Sequence, residues 1–203
     1  RGVWGNSRND VFAVGDSGTI LHFDGLGWAS MQSPTNKGLY AVWGTSGSDV
    51  FAVGQSGTAL HYDGKAWSVL SSGLTRFFWG VWGVSATDLI AVGKSFSSGV
   101  IYRYDGGAWT EMSVPMVDGL MGVWGRARTD VFAVGFGGTI LHYDGSMWKP
   151  VGALTGRDLS GVWGLSGSDV WVVGDGNILH YGIRAVLVAS RSAYAPETDF
   201  GDQ

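Results

Sequence analysis

The chain has 203 residues, 45% of them hydrophobic, with 35 Gly, 11 Trp and no Cys. That apolar content excludes a disordered chain, glycine without a Gly-X-Y period excludes collagen, and the missing thiols exclude disulfides, a thiolate nucleophile and a Cys-based zinc site. A formal charge of −4 and a pI of about 5.4 give no field for nucleic acid or an anionic membrane, and the longest apolar runs, such as 185–189, are far short of the roughly 20 residues of a spanning helix, so neither nucleic acid nor membrane insertion is expected.

The first element is marked by Val3-Trp4-Gly5 and is followed by a short polar link ending at Asp10. Residues 11–15, Val-Phe-Ala-Val-Gly, alternate as a second strand; a Gly-rich turn leads to a third, Thr-Ile-Leu-His-Phe-Asp-Gly at 19–25, and Trp28 opens a fourth. The unit then recurs: its tryptophans are Trp4, Trp43, Trp82, Trp124 and Trp163, spaced by 39, 39, 42 and 39 residues. A sheet of this kind is apolar on both sides, with Val11 and Ala13 on one and Phe12 and Val14 on the other, so it must be covered twice. Stacked sheets satisfy that need, and closing the stack into a ring removes the bare ends. The expected fold is all-β, a five-bladed β-propeller of four-stranded antiparallel blades, with about 20 short strands and little helix.

The repeats run over about 1–37, 38–76, 77–118, 119–157 and 158–190, and together form one domain followed by a tail at 191–203. The position two before each key tryptophan is Gly2, Ala41, Gly80, Gly122 or Gly161, small enough for crowded inner strands. In the last copy Gly182 replaces the turn Asp and Val186 stands where Trp28, Trp67, Trp109 and Trp148 stand, yet 184–190 still reads as a fourth strand. Closure is expected by packing of blade 5 on blade 1, helped by the tail, which carries Pro196, Glu197 and Asp199. The chain opens on a repeat at Arg1, so a targeting segment is expected to lie outside it or to have been removed.

The run Val-Trp-Gly, Asp-Val-Phe-Ala-Val-Gly, Gly-Thr-Ile-Leu-His-Tyr-Asp-Gly and Trp resembles propeller repeats of secreted or surface proteins of environmental bacteria, over residues 1–182. Its layout is similar to kelch repeats, in which a Tyr-Asp turn precedes a Trp, and the blade count resembles five-bladed lectins of the tachylectin type. The Asp-box of sialidase-like propellers is matched poorly, because His22 stands two positions before Asp24 where Ser or Thr belongs. The resemblance implies a propeller that is secreted or at the cell surface and suggests carbohydrate binding.

Four histidines, His22, His61, His142 and His180, occupy one repeat position, with Arg103 there in the third copy. Equivalent positions on adjacent blades are separated by roughly the 10 Å sheet spacing, too far for a shared zinc, so each is expected to bond a turn Asp or the backbone. The recurring Asp residues before strand 2 (Asp10, Asp49, Asp88, Asp130, Asp169) and in the Asp-Gly turns (Asp24, Asp63, Asp105, Asp144) read as turn formers, since calcium would need an Asp-x-Asp-x-Asp loop that is not present. The segments 135–138 and 174–177 are Gly-rich but enter strands rather than helices, which leaves a phosphate no helix N-terminus. No metal and no cofactor is expected. The tryptophans of the repeat are assigned to the core.

With alternating strands, the strand 1–2 and 3–4 loops share one end of the propeller and hardly vary, while the 2–3 and 4–1 loops share the other and do. The divergent end is the expected binding face, because loops on a rigid scaffold carry function. Its candidate ligand-binding residues are Arg76, Phe77, Trp79, Lys94, Phe96, Phe136, Arg157 and Asp158, aromatic platforms with a few charges, and the sole three-residue insertion, around Phe96, falls there. Catalysis would need converging carboxylates near the axis, but Glu111 and Glu197 are the only Glu and the inner strands carry Gly, Val and Trp, so no catalytic residue is assigned. The first reading is a non-enzymatic, lectin-like binding module for a glycan. A protein-interaction or structural propeller of a larger protein is the alternative, and a glycoside hydrolase ranks third.

Overall fold

A computed structural model describes residues 1–70, 73–152 and 155–181. Its order is all-β: blade 1 holds β1 (Gly2–Ser7), β2 (Asp10–Val14), β3 (Ile20–Phe23) and β4 (Trp28–Ser30), and blade 2 holds β5 (Leu39–Ser46), β6 (Asp49–Gly54), β7 (Ala59–Tyr62) and β8 (Trp67–Val69). Blade 3 holds β9 (Phe77–Ser85), β10 (Asp88–Ser95), β11 (Ser98–Tyr104) and β12 (Trp109–Glu111), and blade 4 holds β13 (Leu120–Ala127), β14 (Asp130–Gly135), β15 (Ile140–Tyr143) and β16 (Trp148–Pro150). Blade 5 contains β17 (Gly161–Ser166), β18 (Asp169–Gly174) and β19 (Asn177–Tyr181); the fourth strand expected at 184–190 and the tail at 191–203 lie outside the described residues. Every sheet is an antiparallel meander in chain order, and the only helical pieces among the described residues are single 3₁₀ turns at Asp16–Gly18, Gln55–Gly57 and Phe136–Gly138. The chain is a five-bladed β-propeller.

The pairing register explains why each blade has two apolar faces. Trp4 pairs with Phe12 and Phe12 with His22, so these side chains share one face, while Val3, Ala13 and Leu21 share the other. First strands line up innermost: β1 packs on β5, β5 on β9, β9 on β13 and β13 on β17. A Cβ added to Gly2 would stand 2.9 Å from the Cα of Ala41, which accounts for the small residue two before each tryptophan.

The joint between blades is a tryptophan laid on a glycine. A Cβ at Gly44 would lie 2.8 Å from the Trp4 ring, one at Gly83 3.0 Å from Trp43, one at Gly125 2.7 Å from Trp82 and one at Gly164 2.8 Å from Trp124. Thus the glycine following each key tryptophan leaves room for the preceding blade's ring. Behind it, Phe12 meets Tyr62 at 5.8 Å and Trp67 at 6.3 Å, and Phe132 meets Tyr181 at 5.8 Å. The core is a series of such inter-blade clusters rather than one central mass.

The expected packing of blade 5 on blade 1 is absent among the described residues. Trp163 is 55% exposed and Trp171 41%, on the face by which every earlier blade covers its successor; on the opposite face of blade 1, Val3 is 69% exposed and Trp28 53%. The equivalent Phe12 and Trp67, at an interior joint, are 1% and 7% exposed. The repeat specifies each joint, whereas closure depends on the small angle between blades, which periodicity does not encode.

Each histidine behaves as the sequence reading expects. His22, His61, His142 and His180 place Nε2 at 2.7, 2.7, 2.8 and 2.7 Å from Oδ1 of Asp10, Asp49, Asp130 and Asp169. Their rings stack on Phe12, Phe51, Phe132 and Trp171. In blade 3, Arg103 takes over, donating from Nε and Nη2 to the two oxygens of Asp88 at 2.8 and 2.9 Å. The Asp-Gly turns are Asx turns: Asp63 Oδ1 accepts from the backbone N–H of Lys65 and Ala66, both at 2.9 Å, and Gly64 takes φ +88°.

Two expectations follow. Trp43→Ala removes an inter-blade ring and should lower the unfolding free energy by about 3–5 kcal/mol, whereas Trp163→Ala should change it by less than about 0.5 kcal/mol; urea titration measures both. The backbone N–H bonds at Asp24, Asp63 and Asp105 hold these carboxyls below their ordinary value. Because the folded value is the depressed one, their stabilisation is complete above the unfolded-chain value and fades as pH falls through the folded one. Melting temperature should therefore drop from pH 5 towards pH 2, and Asp63→Asn should flatten that slope; an unchanged slope would refute the assignment.

Candidate functional site

The two ends of the propeller differ as the alternation of strands requires. At the variable end, strand 2–3 loops tie to the strand 4–1 loops beside them: Arg76 C=O accepts from Gly57 N–H, Gly38 C=O from Gln55 N–H at 2.8 Å, and Asp158 Oδ1 from Gly137 N–H at 2.9 Å. At the other end the Asp-Gly turns lie against the strand 1–2 turns, Gly64 on Ser48 and Gly145 on Thr129.

Blade 3 breaks the uniformity. The insertion near Phe96 is not a looser loop; it lengthens the hairpin, with Lys94 opposite Gly99 and Ser95 opposite Ser98, so that Phe96 and Ser97 form a two-residue turn. Strand β9 is extended to match, pairing Phe77 with Lys94. Residues 77–79, which the sequence places in a loop, are strand for this reason. Period-2 alternation then sends Phe78 into the core, fully buried and stacked on Trp109, and leaves Phe77 and Trp79 facing outward.

Thr75, Arg76, Phe77, Trp79, Lys94, Ser95 and Phe96 line an open cavity of about 340 Å³ with predominantly apolar walls. Phe96 stands at its rim, 93% exposed and held at φ 50°, a left-handed conformation uncommon for a bulky residue. Arg76 lies under that ring, its Cζ 5.9 Å from the centroid, and its Nε is buried without a hydrogen-bond partner. Behind Arg76, the Tyr102 hydroxyl donates to Glu111 at 2.6 Å; burial, then this bond, raises the phenol above its ordinary value, and the arginine opposes that shift. Lys94 Nζ sits 5.1 Å from the centre of Phe136, which packs edge-on to Trp79 at 5.6 Å.

Six of the eight residues picked from sequence, Arg76, Phe77, Trp79, Lys94, Phe96 and Phe136, therefore form one cluster bridging blades 3 and 4. The other two lie one loop further on and are engaged in structure: Asp158 in the bond to Gly137, and Arg157 in an exposed ion pair with Asp175 at 3.5 Å. Two clefts on the outer rim were not singled out by the sequence reading. One, of about 420 Å³, lies between blades 1 and 2 beside Met31, Pro34, Tyr62 and Trp67; its counterpart, of about 430 Å³, lies between blades 3 and 4 beside Met112, Pro115, Tyr143 and Trp148. The signal for them was present, since Met-x-x-Pro follows the fourth strand in both repeats. No group of three or more His, Asp or Glu placed to hold a metal occurs among the described residues.

No family model and no curated protein sequence matches the chain. Solved structures do. A structure described as YCF48 bound to D1 peptide superposes with a TM-score of 0.69 at 16% identity over 93% of this chain and 65% of that one. YCF48 from Cyanidioschyzon merolae gives 0.66 at 18% identity over 93% and 70%, and the WD40 β-propeller domain of Doa1 gives 0.74 at 12% over 93% and 66%. At these identities the likeness is one of fold, and the chain spans about two thirds of each of these structures.

The strained tip is testable on its own. Phe96→Gly relieves the positive φ while removing an exposed ring, so folding stability should stay the same or rise by up to about 1 kcal/mol. A loss of more than that in a urea titration would mean that Phe96 is held in place for packing.

Proposed function

We propose that the chain is a non-enzymatic binding module whose blade 3–4 cluster takes an extended peptide segment carrying a carboxylate next to an aromatic or aliphatic side chain. The observation that carries this reading is the pairing of two cations, Arg76 and Lys94, with three aromatic rings around a cavity lined by no carboxylate, and with a fourth ring, Phe136, packed against Lys94 and Trp79. The rings supply apolar area at low conformational cost and the cations fix an anionic group. The site sits on a lengthened hairpin, so little ordering is needed on binding. A structural neighbour is described as bound to a peptide, which supports the same class of ligand. A glycan would use Trp79 or Phe96 as a stacking platform, but Thr75 and Ser95 are the only neutral polar side chains in the lining for sugar hydroxyls.

The test pairs a displayed random-peptide library with a glycan array. Enriched peptides should contain Asp or Glu beside an aromatic or aliphatic residue and should bind more weakly as salt is raised. Arg76→Ala combined with Trp79→Ala should weaken them at least roughly tenfold. Glycan signals lost in the same double variant would replace the peptide reading with the lectin one; binding unaffected by the variant would remove the site.

A further inference from the structure

We infer that the end faces of the arc are docking faces for two further blades of the same repeat, joined in tandem to these five. At each interior joint a tryptophan of one blade rests on a glycine of the next, and this is repeated without exception from Trp4 and Gly44 to Trp124 and Gly164. One further joint is prepared but unmade among the described residues. Trp163 projects from blade 5, surrounded by Trp171, Val173 and Ile178, all exposed, although the residues at the latter three positions in blade 1, Phe12, Val14 and Ile20, are buried.

Blade 1 presents the complementary half. The atoms nearest to a Cβ at Gly5 would be those of Val11, Ser7 and Asp10 in its own blade, whereas each equivalent glycine has a neighbour's tryptophan within 3.0 Å. In a ring of five, Trp163 would sit on Gly5 and Trp28 would cover Trp171, as Trp67 covers Phe12; instead both pairs are open to solvent. The apolar patches so exposed continue the surfaces that are buried inside the molecule, so the body that fits them is another blade: Gly after Val-Trp, Val on strand 2, Tyr on strand 3 and Trp on strand 4.

The length of a longer propeller bounds how many. The arc superposes on it over 93% of its own length and 65% of the other's, which leaves about 100 residues uncovered, room for two repeats of 39–42 residues but not for three. A second copy, five blades long, is too large for such a gap and could only extend the arc as an open chain.

The chain has no cysteine, so a single introduced thiol reports on each face. Trp163→Cys and Val3→Cys are made separately in the 203-residue chain and in a chain lengthened by two repeats copied from residues 39–118, placed either behind residue 190 or ahead of Arg1 so that one order folds. In the 203-residue chain both thiols should react with a maleimide at the rate of an exposed site at every protein concentration. In the lengthened chain both should react roughly tenfold or more slowly, with a higher melting temperature. Protection in the dilute 203-residue chain would show that it closes on itself, through blade 1 or through residues 182–203, and would overturn the inference. Protection appearing only at high concentration would make a second copy the occupant and would overturn it equally, as would free reaction in a folded lengthened chain. None of these outcomes depends on the peptide site.

Discussion

The structure depends on a single contact, the indole of one blade laid over the glycine of the next. It answers a problem posed by the repeat itself. Four short antiparallel strands with Trp, Phe and His on one face and Val, Ala, Leu and Tyr on the other cannot face water on either side, so no blade is stable alone. Glycine at the contact lets the sheets approach closely enough for the ring edge to reach backbone, and the Phe, Tyr and Trp of the outer strands complete the cover. The fold is therefore held by neighbours rather than by a centre, and its polar features serve the same end. Each His–Asp pair fixes a ring that lies against the strand 2 aromatic, and each Asx turn sets the entry to strand 4.

This is why so much of the architecture could be read from the chain. Turn residues and period-2 alternation are local, and the recurrence of Trp-Gly at near-constant spacing declares the inter-blade contact five times over. What was not legible is anything that depends on how the contacts add up. Trp163 and Gly5 look identical in sequence to their interior equivalents, yet neither meets its partner. A repeat states the rule for one joint and is silent about the angle that accumulates over several.

The candidate site divides in the same way. Divergence among otherwise constant copies located Arg76, Trp79, Lys94 and Phe96, because residues freed from packing are the ones allowed to differ. The form of the divergence was misread. Three inserted residues suggest a longer loop, but hydrogen bonding of the extra backbone is satisfied better by adding rungs to the ladder, and Lys94 to Gly99 and Ser95 to Ser98 are such rungs. Arg157 and Asp158 differ from the other copies for a structural reason instead, one in an ion pair and the other bonding the next loop.

Blade 3 is also the place where an overhang costs least. It is the middle blade, covered on both faces, and its first three strands are 9, 8 and 7 residues long against 6, 5 and 4 in blade 1. The lengthened hairpin begins from strands whose apolar residues are fully buried, such as Leu89, Val92 and Ile101, so the projecting tip inherits a rigid base. The positive φ at Phe96 belongs to the strand 2–3 turn itself, since Ser17, Ser56, Gly137 and Asp175 share it in the other blades; what blade 3 adds is the longer paired backbone on either side. In an end blade the same extension would rest on a sheet with one face bare. The position of the site is thus a consequence of the inter-blade contact: doubly covered sheet provides the rigidity, and the variable end, which the contact does not use, provides the freedom to place cations among aromatic rings.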